Sequence, residues 1–211
     1  MRKSVSIIFP AAIALLAFGS ILFAQVPNDC KVDPGTVADI RQMLTAEDNG
    51  LFFEMWTNEE IVCSCIDLYY NDPPDAFIHD RVIAGAVVLL AMTGDKRAVP
   101  VLIDAIDRYP AQALYNLGNF PTVDSLNALI ENIDSKNVEA RDNAAEGLRR
   151  MPAPKDTDIE SGWADALKNA IKKVDKWLDK EPEPDIKDYF LDAYSNLQFL
   201  LEKAESIEKA N

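Results

Sequence analysis

The chain repeats itself at an offset of 27 residues. Ala86 and Leu90 fall on Ala113 and Leu117, and Leu102, Ile103, Ile106 and Asp107 fall on Leu129, Ile130, Ile133 and Asp134. A third copy of the first half follows after a step of 31 residues, where Ala113 and Leu117 map onto Ala144 and Leu148. Periods in this range belong to stacked supersecondary units, none of which buries its apolar face alone. The chain must therefore lay successive units side by side. The small alanines mark where neighbours approach closely, and the leucines fill the seam between them. Arrays of this kind usually serve as binding surfaces rather than as enzymes.

The repeating unit is helical. No useful length of chain alternates with the period of two of a half-buried strand, whereas apolar residues recur at helical spacing almost everywhere after residue 35. The expected fold class is all-α, an α-helical solenoid (αα-superhelix) of helix pairs with longer flanking helices. A first short helix carries Val37, Ile40, Met43 and Leu44. Thr57-Asn58-Glu59-Glu60 is a capping-box pattern, with Thr57 as cap and Glu60 reaching back, and Asp72-Pro73-Pro74 stops the helix behind it. A long helix over 77–92 breaks at Thr93-Gly94-Asp95. Residues 98–106 follow, with Pro100 in the first turn, then a short helix over 111–117 closed by Gly118-Asn119. Residues 123–133 and 138–151 complete the set, which Met151-Pro152-Ala153-Pro154 ends.

Two longer helices close the chain, over 163–178 and 186–204, with Asp185 as the cap of the second and Glu181-Pro182-Glu183-Pro184 as a stiff joint. Ala193 and Leu197 repeat the Ala-x-x-x-Leu spacing once more, so this pair reads as an enlarged last repeat. The resulting division is 1–24 as a signal peptide, 25–74 as an N-terminal helical cap, 75–151 as the repeats and 152–211 as a C-terminal helical pair.

The export assignment rests on Arg2 and Lys3, a nearly unbroken apolar run over 7–18, and the small residues Gly19, Ser20 and Ala24. The stretch is short for a permanent anchor and suits cleavage after Ala24, or after Gly19. The expected location is periplasmic or extracellular, with no stable membrane anchor once the signal is removed. With 21 basic and 35 acidic residues the net charge is −14, and it becomes more negative when Arg2 and Lys3 leave with the signal. Such a surface repels phosphate backbones, which excludes nucleic acid and disfavours anionic membranes.

Three cysteines follow the signal: Cys30, Cys63 and Cys65. On one helix Cys63 and Cys65 point about 200° apart and do not pair with each other. In an oxidising compartment Cys30 bonds Cys63 or Cys65, tying the N-terminus to the helix and leaving one thiol over. The alternative is three buried thiols. A zinc site needs about four ligands, and His79 is the only histidine.

Two segments carry a family resemblance. Gly94-Asp95-Lys96-Arg97-Ala98-Val99-Pro100-Val101-Leu102-Ile103-Asp104-Ala105-Ile106 is very similar to the first helix of the short HEAT repeats, the type first named from phycobilisome lyase subunits. Val138-Glu139-Ala140-Arg141-Asp142-Asn143-Ala144-Ala145-Glu146-Gly147-Leu148 resembles the second helix, where an arginine precedes an Ala-Ala pair and a leucine. The resemblance covers about a third of the chain. It implies an armadillo-like helical solenoid, and it leaves function open, since such repeats serve many unrelated binding roles. The flanking helix pairs are longer than the family pattern, and the copy over 111–117 has no arginine.

Chemistry is sparse. His79, between Ile78 and Asp80 at a helix start, reads as a capping or exposed residue. No serine has an elbow motif or a base to pair with. No Gly-rich phosphate loop and no Asp-x-Asp-x-Asp-Gly ladder occurs. The chain is expected to be non-catalytic, without metal or cofactor. Trp163, Trp177, Tyr189, Phe190 and Tyr194 fit helical stripes and read as core. Tyr115 differs, because Ala113, Leu114 and Leu117 already account for the buried side of its helix. With Gln112 and Asn116 it is expected to point outward. In resembling solenoids the second helix of each pair lines the concave groove, which implies that Gln112, Tyr115 and Asn116 join Asp142, Glu146 and Arg149 in a partner-binding surface. The partner is then a protein. Two competing readings are an acidic inhibitor or immunity-type protein that binds a basic enzyme, and a hydrolase using carboxylates or an unpaired cysteine.

Overall fold

The computed structural model describes residues 29–46, 56–73 and 78–208. The expected signal peptide over 1–24 lies outside them. Among the described residues the structure is all-helical. Asp33 starts α1 (Pro34–Thr45) by accepting from the Thr36 amide at 2.8 Å. The capping box forms at α2 (Asn58–Asn71): Thr57 accepts from the Glu60 amide, and the Glu60 carboxylate takes the Thr57 amide at 2.8 Å. Helix α3 (His79–Thr93) ends at Gly94, whose φ of +67° is left-handed. Helix α4 (Ala98–Asp104) is shorter than its apolar pattern, because Ala105–Asp107 tightens into a 3₁₀ turn. Then come α5 (Pro110–Leu117), α6 (Val123–Asn132) capped by Thr122, and α7 (Val138–Arg150) capped by Asn137. Helix α8 (Trp163–Leu178) leads to α9 (Pro184–Glu208). The last helix starts at Pro184, where a missing amide costs nothing. This puts Asp185 in the first turn rather than at the cap, where its charge still favours the helix dipole.

The helices pack as hairpins, α2 on α3, α4 on α5, α6 on α7 and α8 on α9, and α1 lies against α2 and α3. Helices α3, α5, α7 and α9 contact one another in succession, as do α2, α4, α6 and α8. The repeat positions explain the succession. Ala86, Ala113, Ala144 and Ala193 have no exposed surface, and neither do Leu90, Leu117, Leu148 and Leu197. Helices α5 and α7 approach most closely at glycines. A Cβ on Gly118 would lie 2.5 Å from the Gly147 carbonyl oxygen, and one on Gly147 would lie 2.8 Å from that of Leu114.

Three polar ties hold the ends. Arg141 is buried and donates through Nε and Nη2 to Glu181 at 2.9 and 3.1 Å, and through Nη1 to the Ser135 carbonyl at 3.0 Å. The Glu181 carboxylate also accepts from the Trp177 indole and the Glu183 amide, both at 3.1 Å. Burial by itself raises the Glu181 carboxyl, but Arg141, the amide and the indole together hold it below the usual glutamate range. At the other end Asp72, its side chain wholly buried, accepts from Arg41 Nε at 2.5 Å and lies 3.0 Å from His79 Nδ1. His79 is therefore neither a cap nor freely exposed. Finally, Cys30 and Cys63 form a disulfide across Cα atoms 5.2 Å apart, which leaves Cys65 as a buried free thiol.

Candidate functional site

The row α3, α5, α7, α9 presents the six residues singled out from sequence, in two places. Gln112 and Tyr115 are exposed on α5, and Tyr115 keeps 40% of its surface. Asn116 is a correction: it is buried at 8% exposure, and its amide donates to the Gln112 carbonyl at 2.7 Å. Even so, Gln112, Tyr115 and Asn116 line one open concavity of about 290 Å³ with Val88, Ala111 and Asn143. A second hollow of about 310 Å³ shares Val88 and Gln112 with it and continues toward α1 over Gly85, Leu89 and Met92. The two are thus one groove crossing α1, α3 and α5 to the edge of α7.

Tyr115 is held in place. The Arg150 guanidinium carbon sits 4.0 Å from its ring centroid, within cation–π range, and Arg150 Nη2 donates to Asn119 at 2.7 Å. The guanidinium therefore fixes the ring at the lip of the groove.

Asp142, Glu146 and Arg149 lie on the far side of α7. Glu146 and Arg149 are occupied with each other through bonds of 2.6 and 2.7 Å, and Arg149 also reaches Asp192 at 4.0 Å and the face of Tyr189 at 5.4 Å. Asp142 instead lines a third hollow of about 470 Å³ with Glu139, Glu183 and Asp185. None of these four carboxylates has an ion-pair partner among the described residues. Partial burial first, and then the charges of Glu146, Asp185 and Glu139, push the Asp142 carboxyl above the ordinary aspartate range.

Val88, Met92, Glu139 and Asp185 complete the face and were not among the residues chosen from sequence. Val88 and Met92, one turn apart on α3, are 37% and 67% exposed. The signal for them was an excess. Helix α3 is apolar on nearly every side, while Val82, Ile83, Ala86, Val87, Leu89, Leu90 and Ala91 suffice for its buried stripe.

Other clusters are structural. Arg97 braces the disulfide end, pairing with Asp95 at 2.7 Å, with Glu59 and with Asp29 at 3.7 Å, while its Nη1 lies 3.9 and 4.0 Å from the two bonded sulfurs. The sulfur atoms of Cys30 and Cys63 lie close to Glu59, but bonded to each other they are neutral disulfide sulfurs and not the thiolates that bind a metal. Burial drives the Cys65 thiol far above its usual range, the opposite of an activated nucleophile. No helix among the described residues is long and apolar enough to cross a membrane. The chain matches no protein-family model, no curated protein and no solved structure.

Proposed function

We propose that this chain is an exported, non-catalytic HEAT-like repeat protein, an αα-superhelix that binds another protein through the exposed face of α3, α5, α7 and α9. The observation that carries this reading is the groove itself. The repeat residues that build the core are fully buried, so the large apolar side chains Val88, Met92 and Tyr115 are surplus to packing, and they cluster beside continuous open hollows. Contiguous exposed apolar surface on a helical face marks interaction sites. The succession of equivalent helices, with a buried alanine at the repeat position of each, supports the HEAT-like assignment. The Cys30–Cys63 disulfide supports export, because such bonds persist in oxidising compartments.

A second reading has its own observation. The unpaired carboxylates Glu139, Asp142, Glu183 and Asp185 line one hollow on an acidic chain, as an inhibitor of a basic enzyme would require.

Affinity capture from envelope extract with the immobilised chain, at low and high salt, tests both. One stoichiometric protein retained at both salts, and lost with Tyr115→Ala, is expected for the binding-module reading. A basic protein lost at high salt supports the inhibitor, since exposed charge pairs are screened. Retention unchanged by Tyr115→Ala removes the groove assignment.

A further inference from the structure

The exposed face changes character from one end to the other. Its α1–α3–α5 half is lined by Leu44, Ala84, Gly85, Val88, Met92 and Tyr115, none of them charged, with the Arg150 guanidinium stacked on Tyr115 at the rim. Its α7–α9 half is the hollow of four carboxylates without cations, framed by Val138 and Ile186. Glu146 pairs with Arg149 on α7, and the carboxylates that line the hollow are Glu139, Asp142, Glu183 and Asp185.

Resting on the binding-face reading above, we infer that the partner presents one linear amphipathic segment. Its apolar end sits on Val88, Met92 and Tyr115, and its lysines or arginines sit among Glu139, Asp142 and Asp185. Charge complementarity selects this occupant. An acidic or neutral segment would leave these carboxylates without a cation, whereas a basic one pairs them. A second copy of the chain brings net charge −14 against the same sign. Asn143 lines the apolar hollow beside Tyr115, and its amide donates to the carbonyl of Glu139, which lines the acidic one, so the two halves adjoin across α7. A segment that crosses α7 therefore meets both, its apolar anchors on the α3 and α5 side and its basic anchors on the α9 side. That order is the specific content of the inference.

The test is selection of a randomised 12-residue displayed peptide library against the full chain, followed by fluorescence anisotropy of the enriched peptides. Peptides with an apolar cluster toward one end and a basic cluster toward the other are expected to dominate. Asp142→Lys with Asp185→Lys, two exposed-face changes checked for folding by circular dichroism, is expected to weaken them about tenfold or more, a loss typical of a central contact. The same double variant is expected to bind versions whose lysines are replaced by glutamate. Met92→Ser is expected to weaken the peptides without altering their salt dependence. Enriched peptides without basic residues, affinity indifferent to the double reversal, an absence of enrichment, or displacement of the peptides by self-association of the chain would each overturn the inference. The capture experiment keeps the two levels apart. A partner lost with Tyr115→Ala while every peptide fails sinks only the linear segment; failure of the capture as well sinks the binding module.

Discussion

Glu181 has its side chain out of water and yet keeps its charge, because Arg141 grips it with two parallel bonds while an amide and an indole fill its remaining lone pairs. Removing one member of such a pair leaves the other charge buried alone, which costs about 3–5 kcal/mol. Glu181→Gln is accordingly expected to lower stability at neutral pH by about 3 kcal/mol in urea unfolding. The folded state holds this carboxyl below its unfolded value of about 4.3. Its contribution is thus fully present above that value and is lost as pH falls through the folded one. Wild-type stability should fall steeply below about pH 4.5, and the Gln variant less so; parallel pH profiles would refute the assignment. Arg141 stood out in the sequence beside its Ala-Ala pair, but Glu181, 40 positions away in a proline joint, carried no mark. Cys65 belongs to the same scale. Burial keeps it a thiol, so it should react with a thiol reagent only as fast as the chain unfolds. Modification of the native protein within the mixing time would contradict its enclosure.

Helices decide the next level through two kinds of glycine. Gly94 ends α3 in a left-handed conformation with open space around it, whereas Gly147 lies inside α7 against the Leu114 carbonyl and the Leu129 side chain. Gly94→Ala strains only the backbone and should cost about 1–2 kcal/mol. Gly147→Ala gains helix propensity but must push α5 away, and overpacking of this kind costs about 1–3 kcal/mol. Thermal unfolding measures both costs and partner binding distinguishes them, because separating α5 from α7 should also alter binding in the groove that both helices border, while Gly94→Ala should leave binding unchanged. Unaltered stability in Gly147→Ala would mean that the close approach is not real. At this scale several boundaries could be read directly from sequence, among them the capping box at Thr57 and the stop at Gly94, whereas the caps at Thr122 and Asn137 emerged with the structure. The exceptions have local physical causes. Ala105–Asp107 tightened into a 3₁₀ turn before Pro110, and Pro184 rather than Asp185 opened α9.

The whole molecule is tied at its N-terminal end by a covalent bond across 33 positions. Closing a loop of that length removes unfolded-state entropy worth about 3–4 kcal/mol on the chain-entropy account. Reduction, or Cys63→Ser, should lower the midpoint of thermal unfolding by about 10 °C for a chain this size. An unchanged midpoint would show that the α1 end contributes nothing to cooperative stability. By itself the sequence determined the class and the order of the helices, the repeat that buries one alanine and one leucine at matching positions of α3, α5 and α7, and the two outward residues Gln112 and Tyr115. Those features follow from spacings within one or two helical turns, or from a period that recurs along the chain. Only the tertiary structure decided that Cys63 rather than Cys65 meets Cys30, that Asn116 is buried, that His79 joins Asp72, and that Val88 and Met92 remain uncovered. Each depends on which element lies across from another, and no local spacing rule encodes a contact between residues of separate elements.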